Sequence, residues 1–410
     1  MTTRIIPLFL LLACAPLPAA DWPQWRGAQR DDISTETGLM KSWPRGGPKK
    51  VWTFDDAGLG YAGFAVVGDT LYTMGARDAV EYVVAVDTAT GKERWSAEVG
   101  ALYTNDWGDG PRCTPTVDGD LLYAIGGRGD LVCLNRGDGS QVWTVSLVSD
   151  LGGKLQSWGY TESPLIEGGL VICTPGGQQG TMAAFDKMSG EKKWQTSDWT
   201  DVAQYSSPIA VTHNGGRQVI QLTMNTLAAV NPADGAVLWR TEFPGKVAVI
   251  PTPIFKDSQV FVAAGYKVGC MAVRIGAGNS VERLYENTDM VNHHGGVILV
   301  GDHLYGFSDG AGWTCMDFKT GKVVWTEKRA LGKGAIHCAD GMLYLQEEDS
   351  GTVCLVEASP RGWKEAGRFQ LSPQTEQRKP KGKVWVHPVV AHGKLYLRDQ
   401  ELIHCHDVKR

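Results

Sequence analysis

One phrase recurs along the chain and restricts its fold more than any bulk property. Ala85-Val-Asp87-Thr-Ala-Thr-Gly91-Lys-Glu-Arg-Trp95 steps from an acid to a glycine to a tryptophan in strides of four. The same steps return at Asn135, Gly139 and Trp143, at Asp186, Gly190 and Trp194, at Asn231, Gly235 and Trp239, and at Asp317, Gly321 and Trp325. Apolar runs broken by turns precede the copies, as in Val117-Asp-Gly119-Asp-Leu-Leu-Tyr123. A repeat of this kind marks stacked units, none of which can bury its apolar faces alone. The Asp or Asn begins a turn, the glycine takes its positive φ, and the tryptophan returns on an outer strand. From there each ring can cover the next unit, burying on the order of 200 Å².

Weaker copies fill the gaps: Gly278 with Leu284, and Cys354 to Phe369 with Trp363 displaced. Trp52, in Lys50-Val-Trp-Thr-Phe54, reads as the last strand of a unit whose other three lie at the chain's end, from Pro388 to Asp407. The closing positions are then 52, 95, 143, 194, 239, 284, 325 and 369, at intervals of 41 to 51 residues. Each interval suits one four-stranded blade. The expected fold is all-β: an eight-bladed β-propeller of four-stranded antiparallel blades, closed by an N-terminal strand that completes the last blade and removes its free edges. Counting the Gly278 unit as an insertion would leave seven blades. The domain reading is a signal peptide over 1–20, an N-terminal extension over 21–47 and the propeller over 48–410.

The chain has 51 Gly and 15 Trp in 410 residues, with only 21% charged, which suits short strands joined by tight turns. A net charge of −5 gives no footprint for nucleic acid, and the one basic patch, Arg378–Lys383, reads as a solvated loop between prolines. At the start, Arg4, an apolar run from Ile5 to Ala13 and small residues up to Ala20 describe a secretory signal cleaved before Asp21. The rival is a lipoprotein box, Leu11-Leu12-Ala13-Cys14, with lipid on Cys14. No later run is long and apolar enough to span a bilayer. A periplasmic or extracellular monomer follows as the expectation.

The phrase Ala-x-Asp-x-x-x-Gly-Lys-x-x-x-Trp resembles the tryptophan-docking motif of the pyrroloquinoline quinone (PQQ) repeat, and the resemblance covers about residues 48–409. It implies a PQQ-like propeller, a superfamily holding both quinoprotein alcohol dehydrogenases, which bind PQQ and calcium, and the cofactor-free propeller lipoprotein of the outer-membrane barrel assembly machinery. The opening Asp21-Trp-Pro-Gln-Trp-Arg-Gly27 is also similar to exported PQQ-like propellers. The dehydrogenases carry adjacent cysteines against the quinone; this chain has no Cys-Cys pair, and no Cys-x-x-Cys-His haem site. Cys133, Cys315 and Cys405 stand where other copies have Ala85, Ala184 and Ala229, and Cys270 and Cys354 are assigned the same slot in the weaker units. Small apolar thiols on a tight inner strand are therefore expected, not disulfides.

Loops leading into innermost strands gather at one channel mouth. Here they carry Tyr61, Trp107, Asp109, Arg112, Trp158, Tyr160, Glu162, Tyr205, Asn292, His293, His294, Lys333, His337, Trp385 and His387, the composition of a ligand site. A polar, water-filled mouth is the alternative. His293 and His294 would point apart on a strand, so no metal is assigned, and Glu162 reads as a solvated acid, with a base or calcium ligand beside Trp158 as the alternative. No phosphate loop or Gly-x-Ser-x-Gly elbow occurs, and no catalytic residue is assigned. Three functions remain open. They are a non-catalytic scaffold for an envelope protein or polymer, a PQQ- and calcium-dependent alcohol dehydrogenase, and a periplasmic small-ligand binder.

Overall fold

The computed structural model describes residues 21–410; the segment 1–20 read as a signal peptide, and Cys14 within it, lie outside the described residues. Eight sheets form a ring. Seven blades occupy residues 65–101, 116–146, 165–195, 209–242, 254–287, 297–327 and 334–370 in turn. The eighth takes three strands from 389–407 and its outermost strand from Lys50–Phe54, so the start of the chain closes the ring as expected. The Gly278 unit is a full fifth blade and not an insertion. A single 3₁₀ turn, Ala277–Asn279, leads into its outermost strand.

Strand patterns follow burial. Second strands such as Leu121–Ile125 are buried along their whole length, because neighbouring blades cover both faces. They read as continuous apolar runs rather than alternating ones. Outermost strands such as Glu93–Ala101 face solvent at the rim and are largely exposed or half-buried.

The tryptophans dock as the repeat implies, and the contact is specific. Trp52, Trp95, Trp143, Trp194 and Trp325 each donate Nε1 to a backbone carbonyl of the following blade, at Thr88, Arg136, Lys187, Pro232 and Ser359. Trp239 differs, donating within its own blade to Gln218 Oε1 at 2.7 Å. The motif glycine serves two ends. Gly139 has φ +75°, and a Cβ there would stand 2.6 Å from the Trp95 ring.

Two closing positions correct the sequence reading. In the fifth blade the slot belongs to Tyr285, not Leu284: Tyr285 pairs with Ala272 beside the bulge and donates its hydroxyl to Phe318 O at 2.8 Å. In the seventh it is Gly367, opposite Leu355, and neither Phe369 nor Trp363 fills it. Trp43 does, arriving from the N-terminal extension. A Cβ on Gly367 would lie 2.7 Å from Trp43 Cβ, and the Trp43 ring meets Tyr344 at 5.8 Å. Trp143 meets Tyr123 at 6.0 Å in the same way. Cys133, Cys315 and Cys405 lie directly opposite docking tryptophans, but on third strands rather than innermost ones. Cys270 and Cys354 miss that slot by two residues and by one. All eight described cysteines are buried free thiols.

The extension is the largest departure from expectation, because it is part of the core. Trp22 bridges Val66 on the first blade's innermost strand, Pro23 O accepts from Val117 N, and Ile33–Ser34 adds a parallel strand to the seventh blade. Asp21 bonds Gly68 N and His392, in turns on the face away from the mouth. The segment therefore enters the channel from that face, turns near Trp25–Arg26 and returns, filling the axis. Arg26, Arg30 and Asp32 are all buried there. Arg30 donates to the carbonyls of Ser163, Pro164 and Pro208, tying the third and fourth blades. Asp32 accepts from His337 Nδ1 at 2.9 Å and contacts His387 Nδ1 at 3.4 Å. Because His337 Nε2 accepts from Val390 N, its ring proton sits on Nδ1, facing the carboxylate. Burial pushes the Asp32 carboxyl up, but these histidines and Arg26 outweigh it and hold it far below the ordinary range.

Candidate functional site at the channel mouth

Because the extension fills the axis, the mouth is a blind pocket and not an open channel. It encloses about 200 Å³ above a floor made by Trp25 and Arg26. Trp25 is fixed by an Nε1 bond to Thr252 Oγ1 at 3.0 Å and by an edge contact with His387. The walls come from loops that precede innermost strands, which places side chains from nearly every blade around one axis.

Of the candidates read from the sequence, Tyr61, Trp107, Arg112, Trp158, Tyr205, His293, His294, Trp385 and His387 line the pocket. Their rings form a belt. Trp385 lies 5.1 Å from Tyr61, 6.2 Å from Trp107 and 5.7 Å from His294, and His293 continues the belt to Tyr266 at 4.7 Å. Trp158 and Tyr205 form the opposite wall, 5.6 Å apart. Gly108 permits this packing, since a Cβ there would fall 2.2 Å from the Tyr61 hydroxyl oxygen.

Six named candidates lie behind the walls. Asp109 is held by Lys379 at 2.7 Å, and Tyr160 is buried with its hydroxyl on Pro175 O. Asn292 is buried and donates to Gly296 O and Phe307 O, shaping the loop that carries both histidines. Lys333 bonds His293 Nδ1 at 2.7 Å and pairs with Asp309. His337 belongs to the Asp32 cluster. Glu162 is buried, not solvated: it accepts from Thr174 N and Gln221 Nε2, and burial pushes its carboxyl up to about 7. The patch Arg378–Lys383 is likewise more than a solvated loop. It packs against the Trp107 loop, pairing Arg378 with Asp399, Lys379 with Asp109 and Lys381 with Asp106.

His293 and His294 sit on a loop rather than a strand, so both reach the pocket. Their environments differ. His294 Nε2 bonds Glu348 Oε2 at 2.6 Å, and Trp385 Nε1 bonds the same oxygen at 2.8 Å. Burial raises the Glu348 carboxyl, but these donors outweigh it and bring it down to about 2. Burial drives His293 down to about 3, so it is neutral at physiological pH. Both its nitrogens are already engaged, by Lys333 and Tyr266. Among the described residues no group of three or more His, Cys, Asp or Glu is placed to hold a metal ion.

Sequence reading missed Trp25, Arg26, Thr161, Ser207, Pro251, Thr252 and Tyr266. Trp25 and Arg26 fall in the N-terminal extension over 21–47, and nothing in the local sequence marks that segment as an axial plug.

The fold is similar to BamB from Moraxella catarrhalis, with a TM-score of 0.62 and 16% identity over 88% of this chain and 98% of that one. It is similar too to the quinohemoprotein alcohol dehydrogenase of Comamonas testosteroni, at 0.64 and 11% over 94% and 80%. The computationally designed Ika8 protein gives 0.61 and 10% over 88% and 100%. At these identities the likeness is one of fold. No curated protein matches the sequence. Over residues 79–327, more than half its length, the chain matches the family described as outer membrane protein assembly factor BamB, and it belongs to that family.

Proposed function

We propose that the protein is an exported, non-catalytic propeller of the cell envelope that works by binding, with the blind pocket at its channel mouth as the recognition site. The observation that carries this is the pocket: six Trp and Tyr rings converge on a floor supplied by the chain's own N-terminal segment, Trp25 included. Rings held by their neighbours present a large contact area at little ordering cost, which suits recognition. Family membership supports a place in the envelope and a partner there, either a protein or a polymer.

The dehydrogenase alternative needs calcium beside a quinone. Calcium takes six to eight oxygens, mostly from carboxylates and carboxamides. Among the described residues no Asp, Glu, Asn or Gln side chain lines the pocket, so the donors present do not fit the ion. Calorimetric titration with PQQ, with and without calcium, tests the reading. We expect weak binding or none, and no calcium dependence. Tight, calcium-dependent, near-stoichiometric binding would overturn it in favour of the dehydrogenase.

A further inference from the structure

The two charged side chains that line the pocket, Arg26 and Arg112, are both cationic. Arg26, Arg112, His293, His294 and His387 line it, and no carboxylate does among the described residues. The floor arginine is incompletely used. Arg26 donates Nε to Arg30 O, and Nη2 to Asp31 O and to Val297 O at 2.7 Å. Its Nη1 is buried with no hydrogen-bond partner, and the nearest carboxylate oxygen, on Asp32, stands 3.8 Å away. A buried N–H without an acceptor is costly, so an oxygen arriving at the floor recovers what folding left unmade. Arg112 reinforces the sign from the wall. Its guanidinium lies over the Tyr61 and Tyr103 rings and donates to Gly108 O and Gly110 O, with no ion pair among the described residues.

Shape narrows the ligand further. The wall rings are tilted to one another, by 38° for Trp107 and Trp385, 49° for Tyr61 and Trp385, and 70° for Trp158 and Tyr205. The walls thus offer ring faces and edges at several inclinations, which suits a puckered body that meets them from more than one side. About 200 Å³ is smaller than a drug-sized site, so the enclosed part takes one ring while anything attached extends out of the mouth. Thr161, Thr252 and Tyr266 add hydroxyls for a polar ligand edge.

We propose that the pocket takes a single sugar ring bearing a carboxylate, free or at the end of a chain. The carboxylate is received by Arg26 Nη1 at the floor, with Arg112 adding charge from the wall and the tryptophans covering the ring's apolar face. This rests on the mouth being the recognition site. The test uses the mature protein and follows tryptophan fluorescence and calorimetry with galacturonate, galactose, digalacturonate and benzoate. Galacturonate and galactose differ at the carboxylate, so no variant is needed for the main comparison. We expect galacturonate to bind at least about tenfold more tightly than galactose, the value of one charge-assisted hydrogen bond. Arg112→Gln should lower that ratio several-fold, read under conditions where circular dichroism shows the variant folded, and an unchanged ratio would remove Arg112 from the site. Galactose binding as well as galacturonate would overturn the acidic-sugar assignment and leave the pocket reading standing. Benzoate binding as well as galacturonate would do the same, by showing that the hydroxyls play no part. If no ring binds while PQQ binds tightly with calcium, both readings fall. If nothing binds at all, the acidic sugar is excluded as ligand.

Discussion

At the rim, Trp143 and the turn it docks on belong to adjacent copies of one short phrase. On the axis, Arg30 reaches across 133 residues to Ser163 with no repeat to guide it. The two regions do the same job, joining blade to blade, by opposite means. The rim repeats an apolar contact plus one hydrogen bond around the ring, and each junction stands largely alone. The axis concentrates its ties in a few buried polar groups, each touching several blades. A rim junction can therefore drift in sequence if something else supplies the ring, as Trp43 does for the seventh blade. An axial group has no such substitute.

That contrast can be broken by mutation. Arg30→Ala should cost the most, on the order of 5 kcal/mol, because it removes a buried charged donor shared by three carbonyls and unties two blades. A loss below about 1 kcal/mol in urea denaturation would show that the axis is passive filling. Next, Trp143→Ala and Trp43→Ala should each cost about 3–5 kcal/mol by leaving a hole against a tyrosine. If Trp43→Ala is much milder, the borrowed ring is not equivalent to an encoded one.

Glu162 gives a pH test beneath the pocket. Its folded carboxyl lies near 7 against an ordinary 4.5, so the native state holds the proton more tightly than the unfolded chain does. That stabilising contribution is complete below about 4.5 and is lost as pH rises through 7, an effect of roughly 3 kcal/mol. Glu162→Gln should flatten this part of the stability profile between pH 4.5 and 8.5. An unchanged slope would place the titration elsewhere. The smallest effect concerns glycine. Gly119→Ala, at φ +60° with open space around it, should cost about 1 kcal/mol. Gly139→Ala should cost about 1–2 kcal/mol more, since its new methyl meets Trp95. Equal costs would mean that only backbone conformation selects the motif glycine.

The same contrast explains what could be read from residues alone. Asp87, Gly91 and Trp95 are legible because the turn, the positive φ and the docking ring are consequences of one local geometry repeated. Tyr285 is less so, since a tyrosine in a tryptophan's place still closes the junction but breaks the pattern. Trp43 and Gly367 are illegible separately, because each makes sense only with the other. Mouth residues such as Tyr61 and Trp385 follow from their position before innermost strands, whereas Asp109, Tyr160 and Glu162 share that position and point behind the wall. Arg26, Arg30 and Asp32 look like ordinary solvent-facing charges. Only the completed ring, with carbonyls pointing inward at an otherwise empty axis, turns them into core.

Lys50–Phe54 pairs with the last strand of the chain, Leu402–Asp407, and this sets an order of events. Synthesis delivers residue 54 long before residue 402. The first strand must wait, unpartnered, while seven blades form beside it. Until the final residues arrive the assembly is an arc with two sticky edges, exposed to pairing with other chains. When they arrive, one strand pairing shuts the arc, and the clasp is made of the oldest and youngest parts of the molecule. Clipping a handful of residues from the C-terminus would thus be felt first near the N-terminus, as a released Lys50–Phe54 strand and an axis no longer held shut.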